Sequence, residues 1–193
     1  MFVVSAVESL SDVVLAHLEK GHTRADVAVA LDVVRRAGTA LRPSFVSFTP
    51  WTTLTDYLDL LDFVAAERIV DQVDAIQYAI RLLIPPGSAL LSRPVIHPYL
   101  GDLDPGRFTY RWTHPDARMD RLHADVSRVV EQAARAGEDA AVTFERVRAT
   151  ALALAGDTTP RPRVTAPSAR SPRLTEPWFC CAEPTESQLA TID

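Results

Sequence analysis

The sequence predicts an α/β protein: about three parallel strands with helices, then a C-terminal helical pair and a disordered tail. Two observations lead to this fold class. Residues 41–55 contain an apolar run, a polar turn and a helix-capping pattern, which together are typical of a strand-to-helix unit. The C-terminal residues are rich in proline and polar side chains, a composition that favours disorder over a packed core.

The first predicted unit is a strand over residues 2–7, followed by two helices. The apolar residues of the first helix recur at helical spacing: Leu10, Val14, Leu15 and Leu18. Gly21 is placed to end that helix. Thr23 and Asp26 form a capping box that opens the second helix, which ends at Gly38.

The second unit begins with a short buried strand over residues 45–48, where aromatic and β-branched side chains are concentrated. A turn over residues 49–52 follows, and Thr53 with Asp56 predicts the start of a helix that continues to about residue 67. Residues 73–83 form a third predicted strand, closed by a proline-glycine turn. This order of elements indicates a parallel sheet, whose ligand site is expected at the carboxyl ends of the strands.

The remainder divides into a long ordered connection, two helices and a linker. The connection covers residues 93–114, and the helices begin near Pro115 and Asp139. Residues 158–177 have the composition of a flexible linker. The predicted segments are therefore 1–92, 93–155 and 156–193.

Composition limits the classes of function. The chain has 193 residues, of which 47% are hydrophobic and 23% charged, as expected of one globular domain. A net charge of -5 argues against nucleic-acid binding. No apolar run reaches membrane-spanning length, no signal peptide is recognised and only two cysteines occur, so a cytoplasmic location is expected.

Several stretches resemble radical S-adenosylmethionine (radical SAM) enzymes. Residues 5–12 read Ser-Ala-Val-Glu-Ser-Leu-Ser-Asp and, with residues 18–23, resemble the fourth barrel strand and following helix of that family. Residues 45–51 and 84–88 resemble its fifth and sixth strand regions. Residues 180–184, Cys-Cys-Ala-Glu-Pro, resemble the tail of the CUAEP/CCAEP subgroup. The resemblance implies a partial TIM-type (β/α) barrel over residues 1–92.

One feature of the family is missing from this sequence. Full-length members use S-adenosylmethionine and a [4Fe-4S] cluster, which three cysteines of a CxxxCxxC loop hold. The two cysteines here are adjacent and cannot supply three converging thiolates. The chain therefore resembles the C-terminal half of such an enzyme. The resemblance implies that it works with the missing N-terminal half or a partner subunit, on an unknown small-molecule substrate, and is inactive alone.

The resemblance also implies which residues bind the cofactor. Glu8 and Ser9 would contact the ribose or methionine part of S-adenosylmethionine, since a carboxylate accepts hydrogen bonds from hydroxyl and ammonium groups. The alternative is that Ser9 or Ser11 caps the helix and Glu8 is solvated. Val46 and Phe48 match residues that pack on adenine, with core packing as the alternative.

Three polar residues interrupt the third predicted strand and form the candidate substrate site: Gln77, Tyr78 and Arg81. Polar groups in a strand buried on both faces are costly unless paired, which favours side chains that point into a barrel lumen. Arg81 is suited to binding a carboxylate. Arg42 is expected at the opposite, stability edge of the sheet. The five histidines show no metal-ligand spacing, so no metal is assigned to them.

Cys180 and Cys181 are the candidate catalytic residues. A disulfide between adjacent cysteines is strained and easily reduced, so the pair suits a redox or electrophile-capturing arm. The alternative is two free thiols on a tail. Two further functions remain open at this point: a stand-alone α/β interaction module, and a thiol-redox protein that acts through the tail.

Overall fold

A computed structural model describes residues 1–164. The elements in chain order are β1 (Phe2–Glu8), α1 (Asp12–His17), α2 (Arg24–Arg36), β2 (Ala40–Phe45), α3 (Leu54–Ala66), β3 (Leu100–Asp104), β4 (Thr109–Trp112), α4 (Ala117–Ala136) and α5 (Ala140–Ala155). Short 3-10 helices lie at Val70–Gln72, Ala75–Tyr78, Ala89–Ser92 and His97–Tyr99. The mixed α/β class and the C-terminal helical pair are confirmed.

The strands of the first two units pair in parallel, as predicted. β1 runs beside β2 from the pair Phe2–Ala40 to the pair Glu8–Phe45, with an irregularity just before Glu8. A third segment joins through a parallel bridge between Phe48 and Arg81. Because the two sheets of the described residues have two strands each, they do not amount to a barrel.

The third predicted strand is largely wrong. Residues 73–83 begin with a 3-10 helix (Ala75–Tyr78), and only a short extended part around Arg81 bridges to Phe48. The backbone N–H of Gln77 bonds to the Asp74 carbonyl oxygen at 2.8 Å, which closes the helical turn. Aspartate favours such turns, and apolar residues at 73, 76 and 80 follow helical rather than alternating spacing.

The central strand begins earlier than predicted. β2 runs from Ala40 to Phe45. The predicted strand over residues 45–48 therefore overlaps β2 only at Phe45, and residues 46–48 follow it. Pro43 lies within β2, although proline lacks the N–H of a strand ladder. It is tolerated because β2 has β1 on one side only, and 3-10 helices pack against its other side.

The helix ends follow the sequence signals closely. Both capping boxes are present, since the Thr23 and Thr53 side chains accept from the backbone N–H groups three residues later. Asp116 and Asp139 cap α4 and α5. α1 ends earlier than predicted: its last residue is His17, and Glu19, with φ 53°, takes the left-handed position that closes the helix. Gly21 is also left-handed, with φ 70°, but lies beyond that closing position.

The segment predicted as a long connection contains an antiparallel hairpin, β3–β4. Its turn forms because the Asp104 carboxylate accepts the backbone N–H groups of Gly106 and Arg107 at 3.1 and 3.2 Å. The Asp-Pro-Gly sequence at residues 104–106 is itself a turn signal.

Two hydrophobic clusters hold the elements together. The larger one joins the parallel sheet and α3 to α4 and α5, and includes Phe45, Tyr57 and Phe144. The smaller one joins the hairpin to the sheet through Trp51, Ile84 and Trp112. Residues of the first two predicted segments therefore share both clusters.

The first residues of the predicted linker pack on the folded part. The Arg161 guanidinium pairs with Asp62 of α3 at 3.2 Å, and the Val164 N–H donates to Glu145 of α5 at 2.7 Å. The rest of the predicted segment 156–193, with the candidate pair Cys180 and Cys181, lies outside the described residues.

Candidate functional site

Glu8 ends β1 in a conformation that is unusual for a residue other than glycine. Its φ of 66° lies in the left-handed region, at a cost of order 1–3 kcal/mol. The residue is 7% exposed, and its carboxylate lies 3.0 Å from the ammonium group of Lys20, the only lysine of the chain. The Val46 N–H donates to the Glu8 carbonyl oxygen at 2.8 Å. Glu8 is therefore buried and paired rather than solvated.

Ser9 lies beside Glu8 and shapes the loop into α1. Its Oγ accepts the backbone N–H of Ser11 at 3.1 Å, whereas Ser11 makes no capping bond with its own side chain. The Ser9 N–H donates a hydrogen bond to the Val7 carbonyl oxygen at 2.8 Å. These bonds account for Ser9 as a turn residue, and its contact with a cofactor stays a prediction.

The structure brings Glu8, Ser9 and Val46 together but leaves Phe48 out. The first three line one crevice with Ser47, Thr52 and Asp56 at the carboxyl edge of the sheet. Its volume of about 10 Å³ holds about one water molecule. Phe48 is instead core, with its ring centroid 5.0 Å from those of Tyr57 and His123.

The turn after β2 is a network of buried polar groups that sequence reasoning missed. The Thr49 and Thr52 hydroxyls lie 2.8 Å apart. His114 reaches this turn from the start of α4: its Nε2 lies 2.9 Å from the Thr52 carbonyl oxygen, and its Nδ1 accepts the Asp116 N–H at 2.9 Å. No spacing in the sequence connects residues 52 and 114, so no signal could have found this link.

Trp51 brings an unsatisfied donor to the same turn. Its indole N–H is buried and has no hydrogen-bond partner among the described residues. The ring packs against His17 and Tyr99, with centroids 4.8 and 6.4 Å away. An unpaired buried donor costs about 1–3 kcal/mol, which distinguishes this position from the satisfied groups around it.

Gln77 has partners within the sheet that account for its polarity. Its side-chain oxygen accepts the N–H of Phe45 at 2.8 Å, on the side where β2 has no neighbouring strand. Its carbonyl oxygen accepts the Ser47 hydroxyl at 2.6 Å. The side chain thus satisfies a donor that a third strand would otherwise have satisfied.

Tyr78 is buried within the larger hydrophobic cluster, where its hydroxyl has no partner among residues 1–164. Burial raises the pKa of Tyr78 well above its usual range. The neighbouring Tyr57 hydroxyl donates to the Tyr78 carbonyl oxygen at 2.8 Å. The two tyrosines are therefore equally buried, but only one has its hydroxyl satisfied.

Arg81 is engaged on three sides. Its guanidinium pairs with Asp120 at 2.7 Å, donates to the Trp112 carbonyl oxygen at 2.6 Å and stacks 3.5 Å over the Trp112 ring. Burial, together with the Arg81 charge, lowers the pKa of nearby His123 to about 4. These contacts give Arg81 a structural role. Substrate binding by Gln77, Tyr78 and Arg81 stays a prediction.

The residues present do not fit the family's cofactors within this chain alone. The sequence has two adjacent cysteines where the cluster needs three thiolates. Over residues 1–164, no group of three or more His, Cys, Asp or Glu is arranged to hold a metal ion. Small-molecule sites usually enclose 300–1,000 Å³, far more than the crevice beside Glu8.

A scan against protein-family models gave no match, and neither the curated proteins nor the solved structures contain a match to this chain. In the part of the chain that the structure describes, no helix has the length and apolarity needed to cross a membrane.

Proposed function

We propose that this chain is one arc of a larger parallel (β/α) assembly of the radical SAM type, completed by strands from a companion. The companion is the missing N-terminal half or a separate subunit, and it docks on the outer edge of β1. One observation carries the proposal: three chain segments lie side by side in parallel and in sequence order, with β1 exposed at the end of the row. The family assignment itself rests on the sequence resemblance.

The outer edge of β1 has the properties of an incomplete sheet. Over the described residues β1 pairs with β2 alone. Val3 and Val4 are 44% and 56% exposed, whereas Val7 and Glu8, further along the strand, are buried. Unpaired backbone groups on an apolar edge strand favour pairing with another chain.

The carboxyl ends of these segments supply the chain's contribution to the site. Glu8 is held there in a strained conformation, a feature that clusters at functional sites. The companion must supply the cluster ligands and the remaining walls, because this chain has neither three thiolates nor a ligand-sized cavity beside Glu8. The chain alone is expected to be inactive.

The first test is the coding sequence immediately upstream of Met1. We expect it to encode a CxxxCxxC loop and three strand-helix units, either in frame or as an adjacent gene. Unrelated sequence at that place would overturn the family assignment.

The second test is reconstitution with that companion. We expect co-expression to give a complex that contains iron and binds S-adenosylmethionine. The double variant V3K/V4K should abolish the complex, because charged side chains block edge pairing. V142K is the matched control, since Val142 is a similarly exposed valine, 51% accessible, on α5. Equal loss of binding in both variants would refute docking at β1.

The second candidate is a stand-alone interaction module, which the same open edge favours. In both candidates the edge of β1 binds a companion, but in the module the companion is not part of an enzyme. A complex that V3K/V4K disrupts, formed with a companion that has no cluster motif, would support the module and remove the enzyme.

A further inference from the structure

A second cavity lies away from the crevice beside Glu8. It encloses about 700 Å³ between the end of α3, the 3-10 helix Val70–Gln72, α5 and residues 161–164. Loops that follow helices lie at the edge of a parallel sheet opposite to the strand carboxyl ends. The charged residues of its wall are Arg68, Arg148, Arg161, Arg163, Asp62 and Asp71.

Two of the four arginines are already neutralised. Arg148 is 5% exposed and pairs with Glu145 at 2.8 Å. Arg161 pairs with Asp62 at 3.2 Å and with Asp157 at 3.0 Å. These ion pairs fix the wall of the cavity and leave little charge for a ligand.

The other two arginines give the cavity a surplus of positive charge. Arg68 and Arg163 are exposed, and neither has an ion pair or a side-chain hydrogen bond with any residue from 1 to 164. Asp71, the remaining acidic residue of the wall, is 8% exposed and is engaged in an interaction of its own. Within residues 1–164, the charges of Arg68 and Arg163 are therefore available to an anion.

Arg68 also occupies a backbone position where glycine would be more stable. It follows α3 with φ 55°, in the left-handed region. Glycines take the corresponding position after α2, α4 and α5. After α1 the residue is Glu19, whose carboxylate pairs with Arg93 at 2.9 Å. Arg68 has no comparable partner among the described residues, although a side chain there costs about 1 kcal/mol relative to glycine.

We propose that this cavity binds a small phosphate-bearing molecule through Arg68 and Arg163. A guanidinium group matches phosphate oxygens in a bidentate fork, and two such groups suit an anion with more than one charge. The cavity volume is in the usual range for small ligands, and Ala65, Val70 and Pro162 offer apolar walls to an uncharged body. The proposal does not depend on the proposed function, because no residue of the crevice beside Glu8 is involved.

The test uses the full chain and inorganic pyrophosphate as the probe. Isothermal titration calorimetry is expected to show one saturable site, which R68Q/R163Q weakens at least tenfold. R128Q is the control, because Arg128 is an exposed arginine of α4 that pairs with Asp125. Absence of pyrophosphate binding by the wild-type chain, or equal weakening in the control, would overturn the proposal.

A second variant separates binding from folding. R68G/R163Q removes both guanidinium groups but relieves the backbone strain at residue 68, so its melting temperature should match or exceed that of the wild type. We expect this stable variant to lose pyrophosphate binding. Retained binding would refute the site, and equally tight binding of citrate to the wild type would refute its preference for phosphate.

Discussion

β1, β2 and the segment around Arg81 form a parallel layer, and its two outer edges differ in what covers them. On the side of the third segment, the Tyr110 N–H donates to the Ile84 carbonyl oxygen at 2.8 Å, and the Trp112 indole donates to that of Leu82 at 2.8 Å. On the other side, β2 is the only strand that pairs with β1 within the described residues, so the outer edge of β1 has no neighbouring strand there, and Val3 and Val4 are exposed. The layer is closed in one direction and open in the other.

The covered side is closed by side chains as much as by backbone. The Thr109 hydroxyl accepts the Ile84 N–H at 3.1 Å, and Arg81 ties the segment to Asp120 of α4. A further strand cannot pair there without displacing Trp112 from the smaller hydrophobic cluster. Any extension of the layer must therefore take place at β1, and variants on the two sides should differ in what they change.

The largest effect is expected from W112A. Trp112 is 5% exposed, and its removal takes away both the indole hydrogen bond and a large part of the smaller cluster. Removal of a buried aromatic side chain costs about 3–5 kcal/mol. Urea unfolding measures the loss, and F108A is the control because Phe108, in the same hairpin, is 64% exposed. Similar losses in both variants would mean that the hairpin does not cover the sheet as described.

The next largest effect is expected from R81M. The substitution leaves Asp120 without its guanidinium partner and removes the bond to the Trp112 carbonyl oxygen. Hydrogen bonds to charged groups contribute about 1.5–3 kcal/mol, so the free energy of unfolding should fall by roughly 2 kcal/mol. A change below 0.5 kcal/mol would instead favour the prediction that Arg81 is kept for a substrate carboxylate.

Acid should weaken the covered side through His123. Its folded pKa of about 4 lies below the unfolded value of about 6.5, so the unfolded chain binds the proton first as the pH falls. Stability contributed by the neutral ring is complete above about pH 6.5 and is lost towards pH 4, by at most about 1.4 kcal/mol per pH unit. The groups that act on the ring are Arg81, Asp120 and the Ala79 backbone.

Denaturant unfolding at several pH values measures this loss. The variant H123Q should show a shallower decrease over the window, whereas H97Q, at an exposed histidine, should follow the wild type. Identical slopes for H123Q and the wild type would contradict the assignment.

A smaller difference in stability is expected between variants of the two buried tyrosines, Tyr57 and Tyr78. Y57F loses the bond to the Tyr78 carbonyl oxygen and should destabilise the chain by about 1 kcal/mol. Y78F removes a hydroxyl that has no partner among the described residues, so it should be neutral or stabilising. Thermal unfolding of the two variants gives the comparison, and a destabilised Y78F would reveal a partner for that hydroxyl.

The sequence predicted the open side better than the covered side, for a physical reason. β1, the capping boxes of α2 and α3 and the capped starts of α4 and α5 depend on local signals, and each was found. The contacts of Arg81 with Trp112, and of His114 with Thr52, join residues that are distant in the chain. One sequence contains no signal for such pairs.

The same distinction explains the outcome for the candidate site. Glu8, Ser9, Val46 and Phe48 were predicted from the family resemblance, and the first three share one crevice whereas Phe48 is core. Gln77 and Arg81 were predicted from their polarity in an apolar run. Polarity indicates that a buried group needs a partner, but it does not indicate whether that partner is a ligand or the protein.

The smallest effect is expected on the open side itself. V3A/V4A removes methyl groups of two valines that are about half exposed, so the free energy of unfolding should change by no more than about 0.5 kcal/mol. Urea unfolding at two protein concentrations tests this expectation. A larger loss at the higher concentration alone would mean that a second copy of the chain already covers β1, because association stabilises the folded state by mass action. The open edge would then be the interface of a homodimer, and the companion would not be needed to cover it.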